Sequence, residues 1–462
     1  MNKKYKRDAA PLRFASPSTV SAVLGVLAAL VGGVLLWLCM ALAQSGAALA
    51  YPISVSAVTF LGVGTFGVCL AVILALALPD DMRICQIVRR GLLDPTHGNP
   101  LHLQDGELLP SVQCRVVQTE DGFRRYILRV YIKSCTVDDV KSLASFVSST
   151  LTGRYHNYAV TQAQVDISFN FVDFVVEDVT IDRAIVARTV DDLRTTSPTT
   201  LKIQDGTTID LTASGSILEA GKTRSGKTTG VIALLLQVLA WGKDKFGSLV
   251  MIVDPKRAEL SRLPGVVTTD EDGGGRAILA ALQKFAEAIT QRQAILNEMS
   301  EQTGDAVHWW EAKMHPSFLF LDEFVACRTL FPRKADKEDP EYCLATFDAI
   351  LKRIVTMGAS AGCYVIISIA EASVEEGGLP AMLRSAMGTR ILFKPTLPEA
   401  KLLWSADKLE AMLDRGHYNP GEAWFSSTDG EHDEISFVRF PRMEFPVYAE
   451  LGRLLRLYGV ND

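Results

Sequence analysis

The chain has 462 residues, more than one small domain holds, and 48% hydrophobic against 22% charged residues excludes an extensively disordered protein. A formal net charge of −6 excludes a globally basic surface for nucleic acid, so any such contact would have to be local. The eight cysteines form no C-x-x-C pair and no cluster with the seven histidines, so they read as small buried hydrophobes in a reducing compartment, not a disulfide frame or zinc site.

Residues 1–17 form a basic tail with Lys3, Lys4, Lys6, Arg7 and Arg13. From Phe14 to Pro79 there is no Asp, Glu, Lys, Arg or His. That gap is too long for one membrane span, which needs about 20 apolar residues, and fits two. Residues 18–79 therefore read as two transmembrane helices, 18–43 and 53–78, parted by Gln44-Ser45-Gly46 and Pro52. Arg83, Arg89 and Arg90 follow the second span and the loop between spans carries no charge, which places both termini on the cytoplasmic side. A cleaved signal peptide is the competing reading, but its apolar core is usually about 7–15 residues and no second span follows at once. Gly32, Gly33, Gly62, Gly64 and Gly67 could let the helices approach closely or could simply face lipid.

Residues 80–198 carry no catalytic signature and read as a small α+β domain. Cys114–Ile132 has the pattern of a hairpin turning at Glu120-Asp121-Gly122. Thr136 is placed to cap a helix running to Leu151, and Tyr158–Val176 alternates as a strand does. Arg124, Arg125 and Arg129 read as solvated strand positions in preference to a nucleic-acid site.

The chemistry begins at Ser216–Ala220, a short apolar strand. It runs into Gly221-Lys222-Thr223-Arg224-Ser225-Gly226-Lys227-Thr228 and then the apolar helix Thr229–Trp241. This is G-x-x-x-x-G-K-T between strand and helix. Glycines let successive backbone N–H groups converge, the helix N-terminus adds positive potential, Lys227 reaches the β/γ-phosphates and the Thr228 hydroxyl meets magnesium. Gly221 through Thr229 are the expected nucleotide contacts, with ATP and Mg2+ as cofactors. Phe318–Leu321 is a second apolar strand, ending in Asp322-Glu323. Asp322 is expected in the magnesium shell, and Glu323 is expected to take a proton from attacking water. Between them Ser248–Val253 leads into Asp254-Pro255-Lys256-Arg257-Ala258-Glu259-Leu260, which physics alone leaves open between a capped turn and part of the site.

Together these residues resemble the FtsK/SpoIIIE family of DNA-pumping ATPases, over Ser214 to Pro441. The matching elements are the P-loop, D-P-K-R-A-E-L, L-P-G-V-V-T-T-D (263–270), F-L-F-L-D-E-F (318–324), the Gly358–Gly362 turn with the strand Cys363–Ser368, and Gly388–Phe393. The resemblance implies a RecA-like motor at 199–445, and it makes Asp254 and Lys256 expected nucleotide-site residues. It also makes Arg390 a candidate catalytic residue acting across a subunit interface, against the plainer reading of a strand-end residue paired within its own chain. Two spans, an intermediate domain and a single motor are most similar to the short coupling proteins of Gram-positive conjugative elements. That implies a homo-hexamer in the bacterial plasma membrane, DNA as cargo, and a relaxase and transfer-channel proteins as partners.

The departures are specific. Ala370 stands where the family has a γ-phosphate-sensing Gln, Ala359 replaces an Arg, and Arg224 replaces a P-loop Gly. Glu371 or Ser368 could compensate for the first, and Arg224 is expected to place positive charge near the phosphates. Residues 446–462 read as one helix, which leaves no room for the family's winged-helix reader of DNA sequence. Two rivals remain at this level: a protein-export motor like the type VII secretion ATPases, and a scaffold that binds ATP but hydrolyses it weakly. Trp309-Trp310 with His308 could stack on single-stranded bases, but such pairs more often pack into a core or interface.

Overall fold

The computed structural model describes residues 17–44, 50–77, 79–93, 101, 112–118, 124–132, 137–168, 170–370, 379–410, 417–430 and 432–459. Internal contacts divide the chain into two compact units, the first ending at Val179 and the second beginning at Thr180.

The first unit opens with two 28-residue helices, α1 (Pro17–Gln44) and α2 (Ala50–Ala77). Within them Ala22–Gln44 and Ile53–Val72 are long and apolar enough to cross a membrane. The helices touch at small residues. A Cβ added to Gly64 would sit 2.8 Å from Gly25 O, so backbone meets backbone there, whereas Gly33 and Gly62 have nothing within 4 Å and face outward. The remainder is α+β, with α3 (Asp80–Leu93), β1 (Val112–Gln118), β2 (Arg124–Tyr131), α4 (Val137–Thr150), β3 (Tyr158–Val165) and β4 (Phe171–Asp178). The strands form an antiparallel sheet of order β1-β2-β4-β3. Its Tyr126, Leu128, Val130, Val172, Phe174 and Val176 pack with Ile84, Val88, Leu143 and Val147 of the two helices.

One expectation needs correcting. The alternation through 158–176 is two strands, because the chain reverses at 166–170, where Asp166 N donates to Phe171 O at 2.9 Å. A period of two survives a tight reversal and so hides it. The hairpin turn at Glu120-Asp121-Gly122 and the cap Thr136 lie outside the described residues. Arg129 forks onto Asp173 with two 2.7 Å hydrogen bonds and Arg125 pairs with Glu177, so these cations answer the sheet's own carboxylates.

The second unit begins with short strands β5 (Val186–Ala187), β6 (Thr200–Gln204) and β7 (Thr207–Asp210). There follow β8 (Ile217–Gly221), α5 (Lys227–Ala240), β9 (Val250–Val253), α6 (Arg276–Thr303), β10 (Ser317–Leu321), α7 (Phe324–Thr329), α8 (Leu344–Met357) and β11 (Cys363–Ile369). The unit closes with α9 (Ala381–Ala386), β12 (Thr389–Phe393), α10 (Leu397–Leu403), α11 (Ala406–Glu410), β13 (Glu422–Ser427), β14 (Ser436–Arg439), β15 (Arg442–Met443) and α12 (Val447–Leu454).

The seven-stranded sheet has the order β14-β13-β12-β8-β11-β10-β9, parallel from β12 to β9, with β13 and β14 antiparallel at one side. Strands β8, β9, β10 and β11 are buried at every position, as parallel strands covered on both faces must be. One core lies against α5, with Val231, Leu234 and Leu235, and the other against α6 and α8, with Leu282, Phe285 and Leu351. This is the α/β, RecA-like P-loop motor arrangement expected from the sequence.

Candidate functional site

Parallel strands end together, and the register fixes what meets there. Gly221 lies level with Phe393, Ala220 with Ile369, and Leu321 with both Val253 and Ile367. The residues just past those ends therefore share one edge of the sheet: the P-loop after β8, Asp254 after β9, Asp322-Glu323 after β10 and Ala370 after β11. Crevices at the carboxyl ends of such strands are where open α/β sheets hold ligands.

The loop's shape follows from its residues. Gly226 has φ +94°, and a Cβ there would lie 2.4 Å from Gly421 N, so only glycine fits. Gly421 N donates to Ser225 O at 2.9 Å, and Phe440 N donates to Gly421 O at 2.8 Å, seating the loop on the β13–β14 hairpin. Helix α5 starts at Lys227 with its first N–H groups toward the loop. Lys222, Thr223, Arg224 and Thr229 are exposed, while Ser225 and Lys227 are buried and Thr228 is intermediate. Arg224 holds φ +64°, a conformation a non-glycine side chain disfavours, at the position where the resembled family has glycine.

Asp322 is 9% exposed, and burial pushes its carboxyl up from the usual value, partly countered by Lys227 and reinforced by Glu323 and Asp254. Glu323 sits at φ +47° at the start of α7, and Lys256 Nζ lies 3.2 Å from its Oε1. The turn that delivers Lys256 is made by Asp254. That side chain is fully buried and accepts from Lys256 N (3.0 Å), Ala258 N (2.8 Å) and Ser261 N (3.2 Å). Arg257 adds hydrogen bonds to Thr269 Oγ1, Thr269 O and Asp270 O, and Tyr448 OH donates to Glu259 Oε2 at 2.8 Å. So D-P-K-R-A-E-L ties together the 263–270 segment, helix α12 and the acidic pair, with Asp254 as the hub and Lys256 as the tip.

Arg390 lies elsewhere. It is level with Leu218 on β8, three residues short of the Gly221–Phe393 level, or about 10 Å at roughly 3.3 Å per residue. Its guanidinium donates to Leu403 O at 2.5 Å and Arg384 O at 3.3 Å within its own chain. Trp309 is fully buried against Tyr364, and Trp310 stacks on His308 at 4.5 Å, so the aromatic pair is chiefly core. Glu371 lies outside the described residues. Ala370 is partly exposed just after β11, and Ala359 is exposed in the turn before that strand.

Sequence reasoning passed over one residue, Glu219, in the strand leading to the P-loop. It is 1% exposed, and burial holds its carboxyl well above the usual range, against the pull of Lys227 and with Asp322 adding to the rise. Among the described residues neither of its oxygens has a hydrogen-bond partner, and neither does the hydroxyl of Ser225. A lone acid in an otherwise apolar strand was the available signal.

Comparison with known proteins bears on the same segment. The chain is 29% identical over 152 residues to the FtsK domain-containing protein YdcQ of Bacillus subtilis, covering 33% of this chain and 28% of YdcQ. It is 27% identical over 216 residues to the DNA translocase FtsK of Helicobacter pylori, covering 45% of this chain and 23% of that protein. Over these segments the chain is similar to FtsK-domain proteins. Its matches span about a quarter of these FtsK relatives' own length. No family model matches. Among solved structures, the pCW3 conjugation coupling protein TcpA, determined with ATPγS, overlays 81% of this chain and 99% of its own at TM-score 0.44 and 13% identity. EssC (ATPases 2 and 3) of Geobacillus thermodenitrificans overlays 60% of this chain and 52% of its own at TM-score 0.40 and 16% identity.

The donor set fits a nucleotide's phosphates and a hard divalent cation: a glycine-shaped loop of N–H groups, a lysine, a threonine hydroxyl and a carboxylate.

Proposed function

We propose that this chain is a membrane-anchored, ATP-driven DNA translocase, the coupling protein that feeds DNA to a conjugative transfer channel. The observation that supports it is the meeting of the P-loop, Asp322 and Glu323 at one sheet edge in a chain similar to FtsK-domain proteins.

In this reading the N–H groups of Gly221–Thr229 hold the phosphates of ATP, and Lys227 extends to the β/γ-oxygens. Thr228 and Asp322 hold Mg2+, which when bound neutralises charge on the transferring phosphoryl group. Glu323 accepts the proton of the attacking water, and Lys256, 3.2 Å away, fixes its orientation. Lys222, Thr223, Arg224 and Ser225 line the loop, and Asp254 sets the position of Lys256. Arg390 acts on the neighbouring subunit's nucleotide only if ring assembly frees it from Leu403 O and Arg384 O.

The organisation proposed is a basic tail (1–17), two spans (18–79), an intermediate domain (80–198), a motor (199–445) and a terminal helix (446–462). Both ends and the motor stand on the cytoplasmic side of the bacterial plasma membrane, by the basic residues flanking the spans. A homo-hexamer places ATP between subunits and DNA at the centre, with a relaxase and channel proteins as partners.

The test is ATP turnover by the full chain in nanodiscs, with duplex DNA, single-stranded DNA or neither. Stimulation by either DNA is expected. Turnover indifferent to DNA would favour a protein-export motor, and binding without turnover in the assembled ring would favour a scaffold.

A further inference from the structure

Helix α12 reaches the acidic pair of the sheet edge through one side chain, and two sets of contacts fix where the helix stands. Just before it, β15 pairs with β5, where Arg442 N donates to Ile185 O at 2.8 Å and Glu444 N to Ala187 O at 2.7 Å. Along it, Leu451 and Leu454 are buried in the core that contains Val250, Ile252, Leu260 and Leu263, and a Cβ on Gly452 would lie 3.4 Å from Leu263 Cδ2. From that seat Tyr448 OH donates to Glu259 Oε2 at 2.8 Å. Glu259 belongs to the turn in which the N–H groups of Lys256, Ala258 and Ser261 converge on the Asp254 carboxylate. Ser261 Oγ closes the same turn on Ala258 O at 2.6 Å. The tip of the turn is Lys256, whose side chain is 53% exposed and whose Nζ lies 3.2 Å from Glu323 Oε1. Asp254 therefore holds the turn from within, Arg257 holds it from the 269–270 side, and the Tyr448 hydroxyl holds it from the side of α12. Tyr448 and Glu259 are both exposed, so their hydrogen bond adds little to stability. What it can do is choose a position, three residues from the lysine.

We propose that Tyr448 is a positioning residue for ATP hydrolysis, fixing through Glu259 the turn that carries Lys256 against Glu323. Its role needs no contact with nucleotide and no proton exchange. With the hydroxyl in place, the turn sets Lys256 Nζ where it orients the carboxylate that meets the attacking water. Without it the turn can pivot on Asp254, and the flexible four-carbon stem lets the ammonium drift from Glu323. A misplacement of about 1 Å is enough to slow a reaction that depends on a placed base. The phosphates are held by a different element, the P-loop, so nucleotide affinity is expected to be indifferent to Tyr448. Helix α12 is then a support of the hydrolytic step and not only a closing element of the fold.

This inference rests on the reading of Glu323 as the base, and a double-mutant cycle separates the two. ATP turnover by the full chain in nanodiscs is measured for the wild type, Tyr448→Phe, Glu259→Gln, Glu259→Leu, Lys256→Ala and the Tyr448→Phe, Lys256→Ala double variant. Each rate is normalised to the number of mant-ADP sites titrated. Tyr448→Phe and Glu259→Leu should each lower kcat by about threefold to tenfold, with KM and mant-ADP affinity within about twofold of the wild type. Glu259→Gln keeps an acceptor oxygen and should retain most of the wild-type kcat. In the Lys256→Ala background Tyr448→Phe should cost nothing further, because the group it positions is gone. A merely structural tyrosine would lower the number of binding sites, or cost the same factor in both backgrounds. Either result, or wild-type kcat in Tyr448→Phe or in Lys256→Ala, overturns the inference and leaves the site standing. A wild type without ATP turnover, or a Glu323→Gln variant with normal turnover, overturns the reading of the site along with it.

Discussion

At the edge where the parallel strands begin, Arg292 of α6 is 2% exposed and yet fully engaged. It donates to Ala361 O (2.8 Å), His315 O (2.7 Å) and Ser317 Oγ (3.3 Å), and stands 3.9 Å from Asp244. Asp244 in turn accepts from the backbone N–H groups of Phe246, Ser248 and His315. At the edge where the same strands finish, Glu219 is as deeply buried with both oxygens unmet, Asp322 is buried among other acids, and Arg224 and Glu323 hold positive φ. One sheet therefore buries charge in two ways. The satisfied edge fixes the fold, and the other edge gathers the P-loop, Asp322 and Glu323.

Substitutions can break this contrast. The largest effect is expected at the unsatisfied edge: Glu323→Gln should lower ATP turnover by about a hundredfold or more while nucleotide still binds, and Lys227→Ala should lose both. Retained turnover in steady-state assays of either variant would remove the site from the motor. Next comes the satisfied edge, where Arg292→Ala should cost roughly 3–5 kcal/mol in denaturant unfolding, because the Ala361 and His315 carbonyls lose their donor and Asp244 its counter-charge. If instead that variant unfolded like the wild type and lost turnover, the assignment of roles to the two edges would be reversed.

Smaller effects sharpen the contrast. Folding raises the Glu219 carboxyl above its usual 4.5, so the native state holds that proton more tightly than the unfolded chain. The stability tied to this group is fully present below about 4.5 and is lost as pH rises through the native value. Glu219→Gln should therefore raise Tm at pH 8 and change it little near pH 4; an equal shift at both would point to packing instead. Arg224→Gly should relieve an unfavourable conformation worth about 1 kcal/mol, partly offset by the freer unfolded chain, and weaken nucleotide affinity several-fold in equilibrium titration. Unchanged affinity would leave Arg224 a bystander.

The parts legible in sequence were those whose signal is local. Two charge-free apolar runs, a strand–loop–helix with fixed glycine spacing and an apolar strand ending in two acids need no knowledge of distant contacts. What remained hidden depends on register. Nothing near Arg292 marks it as buried, because its partners at 244, 315, 317 and 361 are assembled only by the sheet. Asp254 is open between turn and site on physics alone, and the family resemblance makes it an expected nucleotide-site residue. It makes the turn, and through Lys256 the turn reaches Glu323. Glu219 was readable in principle, since a strand closed on both faces has no wet side for an acid, but its neighbours made it pass as part of a hydrophobic run.

The hairpin contact at Gly421 carries a mechanical consequence. Because Ser225 O, Gly421 and Phe440 are joined in series by backbone hydrogen bonds, the phosphate loop cannot shift without tugging on the β13–β14 ribbon. That ribbon ends at the sheet's outermost strand, so strain raised beside the phosphates has a stiff path to the molecule's rim, much as tension on one stitch is felt at the hem.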